Sequence, residues 1–310
     1  MKTDRRDFLK KTIYLVGFGA AANSPLRVFA ESKELRLTVL HTNDWHSRID
    51  PFPATDKKFG GQGGAVRRAE AIRKIRESES NVLLLDSGDI FQGTPYFNFY
   101  GGELEYKLMS EMGYDACTLG NHDFDNGIEG LIKQAPFRKF PIINSNYDFG
   151  KTALADLVEP YRIFSKQGIR IGVFGLGIEL TGLVPDNLYA GVSYNDPIKA
   201  AIKMGQFLRV EKKCELIICL SHLGHSYKES KVSDLVLAKS EADVDIILGG
   251  HTHTFLDQPV LETNKMGSKV IVNQVGWGGL RLGRLDLTFE TQGRRKNLAS
   301  SQLISLGNLG

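Results

Sequence analysis

The stretch GNHDFD at 120–125 offers, within six residues, an amide oxygen (Asn121), an imidazole (His122) and two carboxylates (Asp123, Asp125), and Gly120 and Gly127 let the backbone turn on either side. Taken alone, it fits an ordinary polar turn in which Asn and Asp satisfy backbone amides. Four other stretches carry complementary groups: TNDWH (42–46), SGDIFQG (87–93), SHLGH (221–225) and GGHTH (249–253). Asp44 and His46 are two apart, so on an extended segment both side chains project to one side, which suits chelation of one ion. Asp89 has two oxygens with which to bridge a pair of cations. Asn121 adds a neutral amide oxygen, and His222, His251 and His253 add imidazole nitrogens. This mixture suits borderline divalent ions such as zinc, manganese, cobalt or iron, whereas all-oxygen cages suit magnesium or calcium. Together the five stretches predict one centre holding two divalent metal ions.

Each stretch must be carried by an element that ends at the site. ELRLTVLHTND (34–44), NVLLLDSGD (81–89), DACTLGNHD (115–123), CELIICLSHLGH (214–225) and VDIILGGHTH (244–253) all read as apolar strands that break into polar residues. In an open α/β sheet, ligands bind at the carboxyl ends of the strands. A further strand is expected at FPIINSN (140–146), and YRIFSKQGIRIGVFGLG (161–177) reads as a hairpin about a Lys-Gln-Gly turn. Helices are expected over 65–79 with a solvated basic face, over 102–113, over 195–213 behind an Asn or Asp cap and a first-turn proline, and over 233–242. The segment 268–290 reads as a β-hairpin with a Gly-rich turn. Alternating β and α units with added hairpins predict an α/β fold, two sheets packed face to face with helices outside, in a single domain.

The first thirty residues are a different object. DRRDFLKK (4–11), a short apolar run and Val28-Phe29-Ala30 follow the order of a twin-arginine export signal cut after Ala30, with 31–310 as the catalytic domain. The expected location is therefore periplasmic or at the cell surface, with no stable membrane span once the signal is removed; a retained signal acting as an anchor is the second possibility. Residues 1–30 hold six Lys/Arg and two Asp, so the remainder carries 33 basic against 34 acidic residues, net −1. The near-neutral balance and the lack of a basic stripe argue against a nucleic-acid partner. Cys117, Cys214 and Cys219 are too few for a disulfide framework and form no CxxC pair.

In the motifs DxH (44–46), GDxxxG (88–93, with Gln92), GNHD (120–123), SH (221–222) and GGHTH (249–253), the chain resembles a calcineurin-type metallophosphoesterase, specifically the catalytic domain of the 5′-nucleotidase family, over 35–290. The resemblance implies a four-layer α-β-β-α sandwich. It implies one metal on Asp44, His46, Asp89 and His253, and a second on Asp89, Asn121, His222 and His251. His122 and Asp125 become a catalytic dyad, the carboxylate orienting the imidazole. Two such cations lower the pKa of water to give a hydroxide nucleophile and clamp a phosphoryl group for in-line displacement. A small phosphorylated substrate, foremost a nucleotide, follows from the resemblance. Members of that family carry a second, C-terminal domain that grips the nucleoside, and the expectation here is that this chain lacks it, so that a separate chain is a candidate to supply it.

Other readings stay open: a phosphodiesterase acting on cyclic or sugar nucleotides, and a non-catalytic metal-binding scaffold. Among the remaining polar residues, His41 reads as a core histidine and His225 as solvent-facing or at the cleft rim. Gln92 is expected to shape its loop, Asp123 to be structural or to support the ligands, and Trp45 to pack away from the site. Trp277, in GWGG, fits a cleft lining and a hairpin turn equally well.

Overall fold

The computed structural model describes residues 35–289 and 296–307; the expected export signal and the first residues of the expected catalytic domain lie outside the described residues. In chain order the strands are β1 (Leu35–Thr42), β2 (Val82–Asp86), β3 (Ala116–Cys117), β4 (Ile142–Ile143), β5 (Tyr147–Asp148), β6 (Val158–Glu159), β7 (Tyr161–Lys166) and β8 (Ile169–Leu176). They continue as β9 (Ser193–Tyr194), β10 (Leu216–Ser221), β11 (Ile246–Gly249), β12 (Val260–Thr263), β13 (Lys269–Asn273), β14 (Arg281–Phe289) and β15 (Lys296–Ser305). The helices are α1 (Ala65–Ser78), α2 (Pro95–Tyr100), α3 (Glu103–Met112), α4 (Gly127–Gln134), α5 (Pro197–Gln206) and α6 (Asp234–Ala238).

One sheet runs β15-β14-β1-β2-β3-β4-β6 and the other β12-β13-β11-β10-β8-β7, with β5 and β9 as a small separate pair. Strands β1, β2 and β3 are mutually parallel, as are β8, β10, β11 and β13. Side chains alternate across each strand, and this sorts the core into three layers. Leu37, Val39, Leu83 and Leu85 face Ile171, Ile218, Leu220, Ile246 and Leu248 between the sheets. The intervening Leu40 and Leu84 pack outward on Ile72 and Ile75 of α1 and Met109 of α3. On the other side, Phe174, Ile217, Cys219 and Ile247 pack on Ala201 of α5 and Leu237 of α6. Three apolar interfaces make four layers, the α-β-β-α sandwich expected. Each fully buried Leu or Ile contributes about 1.5–3 kcal/mol to holding the layers together.

Local signals explain the helix ends. The Asp196 side chain accepts the N–H groups of Ile198 and Lys199, and Pro197 occupies the first turn of α5. Helix α3 stops at Gly113, which is left-handed and returns its N–H to Met109 and Ser110.

Several expectations need correction. The segment 268–290 is not a hairpin: β13 pairs with β11 and β12 in one sheet, whereas β14 pairs with β1 and β15 in the other. The Gly-rich stretch between them crosses from sheet to sheet over the strand ends, held there as Gly276 N–H donates to Thr254 O and Gly278 N–H to Asp44 O. The third strand pairs only over Ala116–Cys117, and α6 ends at Ala238 rather than 242. Helix 195–213 is regular to Gln206 and continues as a wider turn over Phe207–Glu211. The basic face of α1 is not wholly solvated, because Arg68 is buried with its guanidinium 4.2 Å from the Trp45 ring. Helices α2 and α4 and the short or edge strands β5, β6, β9, β12 and β15 have no counterpart in the sequence reading.

The two sheets approach closely at Gly175 in β8. A Cβ there would stand 2.0 Å from Ile143 O and 2.4 Å from Thr118 Oγ1. Replacing Gly175 by Ala is expected to force the sheets apart and cost about 1–3 kcal/mol of stability. Urea denaturation of the variant measures this, and an unchanged midpoint would contradict the assignment of that contact.

Candidate metal centre

All five polar stretches leave the carboxyl ends of parallel strands: 42–46 follows β1, 87–93 follows β2, 120–125 follows β3, 221–225 follows β10 and 249–253 follows β11. Face-to-face packing of the sheets brings both sets of ends to one edge. There the side chains form two groups that could each hold an ion, Asp44 with His46 and His253, and Asp89 with His222 and His251.

The distances show how the groups meet. Nε2 of His46 lies 2.9 Å from Nε2 of His253, and Nε2 of His253 lies 3.4 Å from Asp44 Oδ1. Asp89 Oδ2 is 3.1 Å from His222 Nε2 and 3.9 Å from His46 Nε2, so this one oxygen faces both groups. The other oxygen, Oδ1, accepts the N–H of His122. Asp89 is thus placed to be shared by both groups, with Oδ2 facing them and Oδ1 engaged by the His122 N–H. Asn121 Oδ1 lies 2.9 Å from His251 Nδ1, which adds the amide to the second group.

The backbone that presents these groups is not extended. Asp44, His46, Asp89, His251 and His253 all have left-handed φ values between 50° and 72°. Ser47 and Gln92 in the same loops do too, so seven of the nine such non-glycine residues among those described lie here. Each costs of order 1–3 kcal/mol and persists only where surroundings impose it. The Asp44/His46 pair thus shares a group by a kinked loop, and not by strand alternation. Neighbouring chain supplies the restraint. Asn43 donates its amide to Asp44 Oδ2 and Gly276 O while accepting Val275 N–H, and both Asp44 oxygens accept His251 N–H. Asp123 accepts N–H groups from Asp89 (3.0 Å), Ile90 (2.9 Å) and Gly120 (2.8 Å), pinning two loops together. Burial, with the Asp89 charge, pushes Asp123 up to about 7. Gly120 itself cannot be larger, since a Cβ would stand 2.2 Å from Asp89 Oδ1 and 2.6 Å from His222 Cε1.

The donor set fits divalent ions on its own chemistry. His222 is fully buried and donates from Nδ1 to Ser87 O at 2.7 Å, which aims Nε2 at Asp89. That Nε2 finds no hydrogen-bond partner despite its 3.1 Å separation from the carboxylate. Burial opposes a charge on His222, yet Asp89 and Asp44 override it and raise its pKa to about 10. Burial would also raise Asp89, but His222, His46 and His122 hold it well below the usual carboxylate range. A carboxylate facing imidazole nitrogens in a buried pocket of negative charge calls for positive charge there, whether a proton on the imidazole or a cation in its place. His251, by contrast, is driven down to about 4 by burial and by His222, so it stays a neutral ligand.

His122 and Asp125 sit beside these groups on the short turn His122–Phe124, with Nδ1 2.8 Å from Asp125 Oδ2. That hydrogen bond raises His122 above its ordinary value against the effect of burial. The rings of His122 and His46 are 5.3 Å apart. His253 exposes 38% of its side chain and His122 35%, against 8% or less for Asp44, Asp89, His46 and His222, so the site opens to solvent on the side of His122 and His253. Trp277, which stacks on His253 at 5.4 Å and 10°, lines that opening.

All nine expected residues converge. His41 does not belong to the set: it is buried at the sheet interface, accepts from Asn273 Nδ2 at 3.0 Å, and is driven down to about 3 by burial. Trp45 is buried, Gln92 is exposed in its left-handed turn, and half-buried His225 donates its N–H to Thr252 Oγ1. Asn43 and Gln274 were not singled out in the sequence. Asn43 lies inside TNDWH and was legible as part of a motif, whereas nothing local marks Gln274.

A family model for calcineurin-like phosphoesterases matches residues 37–255. The chain belongs to that family. Calcineurin-like phosphoesterases use divalent metals, in keeping with the two groups found here. The 5′-nucleotidase of Vibrio cholerae is 36% identical over 248 residues, covering 77% of this chain and 44% of the relative. The solved 5′-nucleotidase precursor of Thermus thermophilus superposes with a TM-score of 0.77 at 32% identity, over 88% of this chain and 55% of that one. The NAD nucleotidase of Haemophilus influenzae gives the same TM-score of 0.77 at 28% identity, over 88% and 51%. This calcineurin-like phosphoesterase thus spans about half the length of these relatives.

Two substitutions separate the roles. Asp89→Asn is expected to lose both turnover and tight binding of a metal pair, since a neutral amide cannot hold two cations with one oxygen. His122→Asn is expected to keep the metal content and lower the rate of ester hydrolysis by roughly 10²-fold. Metal analysis with initial rates checks both; full activity in the His122 variant would remove it from the chemistry.

Proposed function

We propose that this chain is an exported, divalent-metal-dependent hydrolase of phosphate esters, acting foremost on nucleoside monophosphates. The observation that carries the reading is Asp89 Oδ2, 3.1 Å from His222 Nε2 and 3.9 Å from His46 Nε2, with the His122–Asp125 pair alongside. In this reading Asp44, His46, Asp89 and His253 hold one cation and Asp89, Asn121, His222 and His251 the other. When bound, the cations supply Lewis-acid polarisation of phosphoryl oxygens and acidify water. His122, whose protonated form the Asp125 carboxylate favours, then donates from Nε2 to a phosphoryl or leaving-group oxygen and so offsets charge that develops there. Asp125 holds the ring in that orientation. Trp277, stacked on His253, forms one wall of the approach.

The nucleotide preference rests on the 5′-nucleotidase relatives. Similarity to an NAD nucleotidase supports a second reading, hydrolysis of a dinucleotide or another phosphodiester. Phosphate release from nucleoside monophosphates, sugar phosphates, NAD and cyclic and bis-aryl esters, with manganese, cobalt or zinc and with chelator, tests both. The expected result is release that chelator abolishes and metal restores, strongest with nucleoside monophosphates. Preference for NAD or a diester would select the second reading, and no release under any metal would overturn enzymatic function in favour of a scaffold.

Export rests on the order of Arg5-Arg6, the apolar run and Val28-Phe29-Ala30; among the described residues no helix is long and apolar enough to cross a membrane. Replacing Arg5 and Arg6 together by Lys is expected to leave the protein in the cytoplasm of a Gram-negative host. Undiminished recovery from the periplasm would refute a twin-arginine route.

A further inference from the structure

Residues Gly250–Thr254 carry one candidate ligand of each group, His251 and His253, and both have left-handed backbone, φ 72° and 52°. Internal bonding does not account for this shape. The one backbone bond inside the loop is Thr252 N–H to Gly250 O. A side chain from outside makes up the difference. Gln274, fully buried just after β13, donates its Nε2 to Gly250 O and accepts at Oε1 both the Thr254 N–H and, at 3.1 Å, the Thr252 hydroxyl. Its amide therefore touches the residue before His251, the residue between the histidines and the residue after His253.

We propose that Gln274 is the positioning residue of this histidine loop, fixing one ligand of each cation through a single side chain. The proposal rests on the two-cation reading above. An amide fits the arrangement without a change of protonation state, because one end donates to a carbonyl while the other accepts from an N–H and a hydroxyl. Gln274 is itself immobilised: its N–H donates to Asn273 Oδ1 at 3.0 Å, and the following Val275 N–H donates to Asn43 Oδ1 at 3.1 Å. Asn43 also bonds Asp44, so the chain leaving β13 braces the loops of β1 and β11 together. Thr252 extends the brace by accepting His225 N–H at 2.9 Å, which ties in the His222 loop.

Gln274→Met keeps the volume and removes all three contacts. Gln274→Glu keeps the acceptor half and sets a carboxylate oxygen against Gly250 O. Cobalt binding to the full chain, measured by chelator competition together with the visible spectrum of the cobalt-loaded protein, reads the ligand geometry independently of turnover. Both variants are expected to bind cobalt roughly 10–100-fold more weakly and to shift its spectrum. Melting of the metal-free protein confirms folding. Should Gln274→Met fail to fold, Gln274→Leu, which also lacks every polar contact of the amide, is expected to weaken cobalt binding in the same direction, and Thr252→Val, which removes the hydroxyl's contacts to Gln274, Thr254 and the His225 N–H together, is expected to weaken it as well. Unchanged affinity and spectrum in the folded variants would overturn the inference alone. Failure of the unaltered chain to bind cobalt would overturn the two-cation reading and this inference with it.

Discussion

Nitrogen and oxygen lone pairs aimed at one another inside a protein repel unless a proton or a cation lies between them. At the edge of this fold that confrontation is built in: His46 faces His253, and Asp89 faces His222 and His46 through a single oxygen. Much of the surrounding structure serves to maintain it. The cost falls on the backbone, where five of the presenting residues are held left-handed, and on desolvation of two buried carboxylates. A site of this kind keeps its shape only on a rigid support.

The support is the pair of sheets. Parallel strands β1, β2 and β3 deliver three loops, and β10 and β11 deliver two more from the opposite sheet. Gly175 at the sheet contact lets the sheets come close, and side chains from both meet in each candidate group. The Gly-rich crossing from β13 to β14 then spans the gap. It bonds back to Asp44 and Thr254, and places Trp277 over His253. What looks like a turn between two paired strands is a strap between two layers, and it explains why so many glycines and a tryptophan occur together there.

Membership of the calcineurin-like phosphoesterases places this chain among proteins that use divalent metals, and the geometry supplies the matching donors. The 5′-nucleotidase relatives extend over roughly twice its length, so the shared half is the half that bears the candidate centre. The site opens to solvent on the exposed sides of His122 and His253.

The four-layer class and the nine candidate residues were legible in the sequence because each motif is local: an apolar run breaks into a few polar residues, and strand alternation sorts the core without reference to distant chain. The same locality explains what was misread. Whether 268–290 folds on itself or spans two sheets depends on which strands β13 and β14 meet, and β14 meets β1, more than two hundred residues away in the chain. The hydrogen bond that engages one Asp89 oxygen and leaves the other facing both groups, the burial of Arg68 under Trp45, and the brace from Gln274 to the histidine loop likewise arise from contacts between segments far apart. The sequence by itself determined which side chains could bind and react. Only the tertiary structure decided their pairing and their strained backbone, because both are imposed by packing between layers rather than by neighbours along the chain.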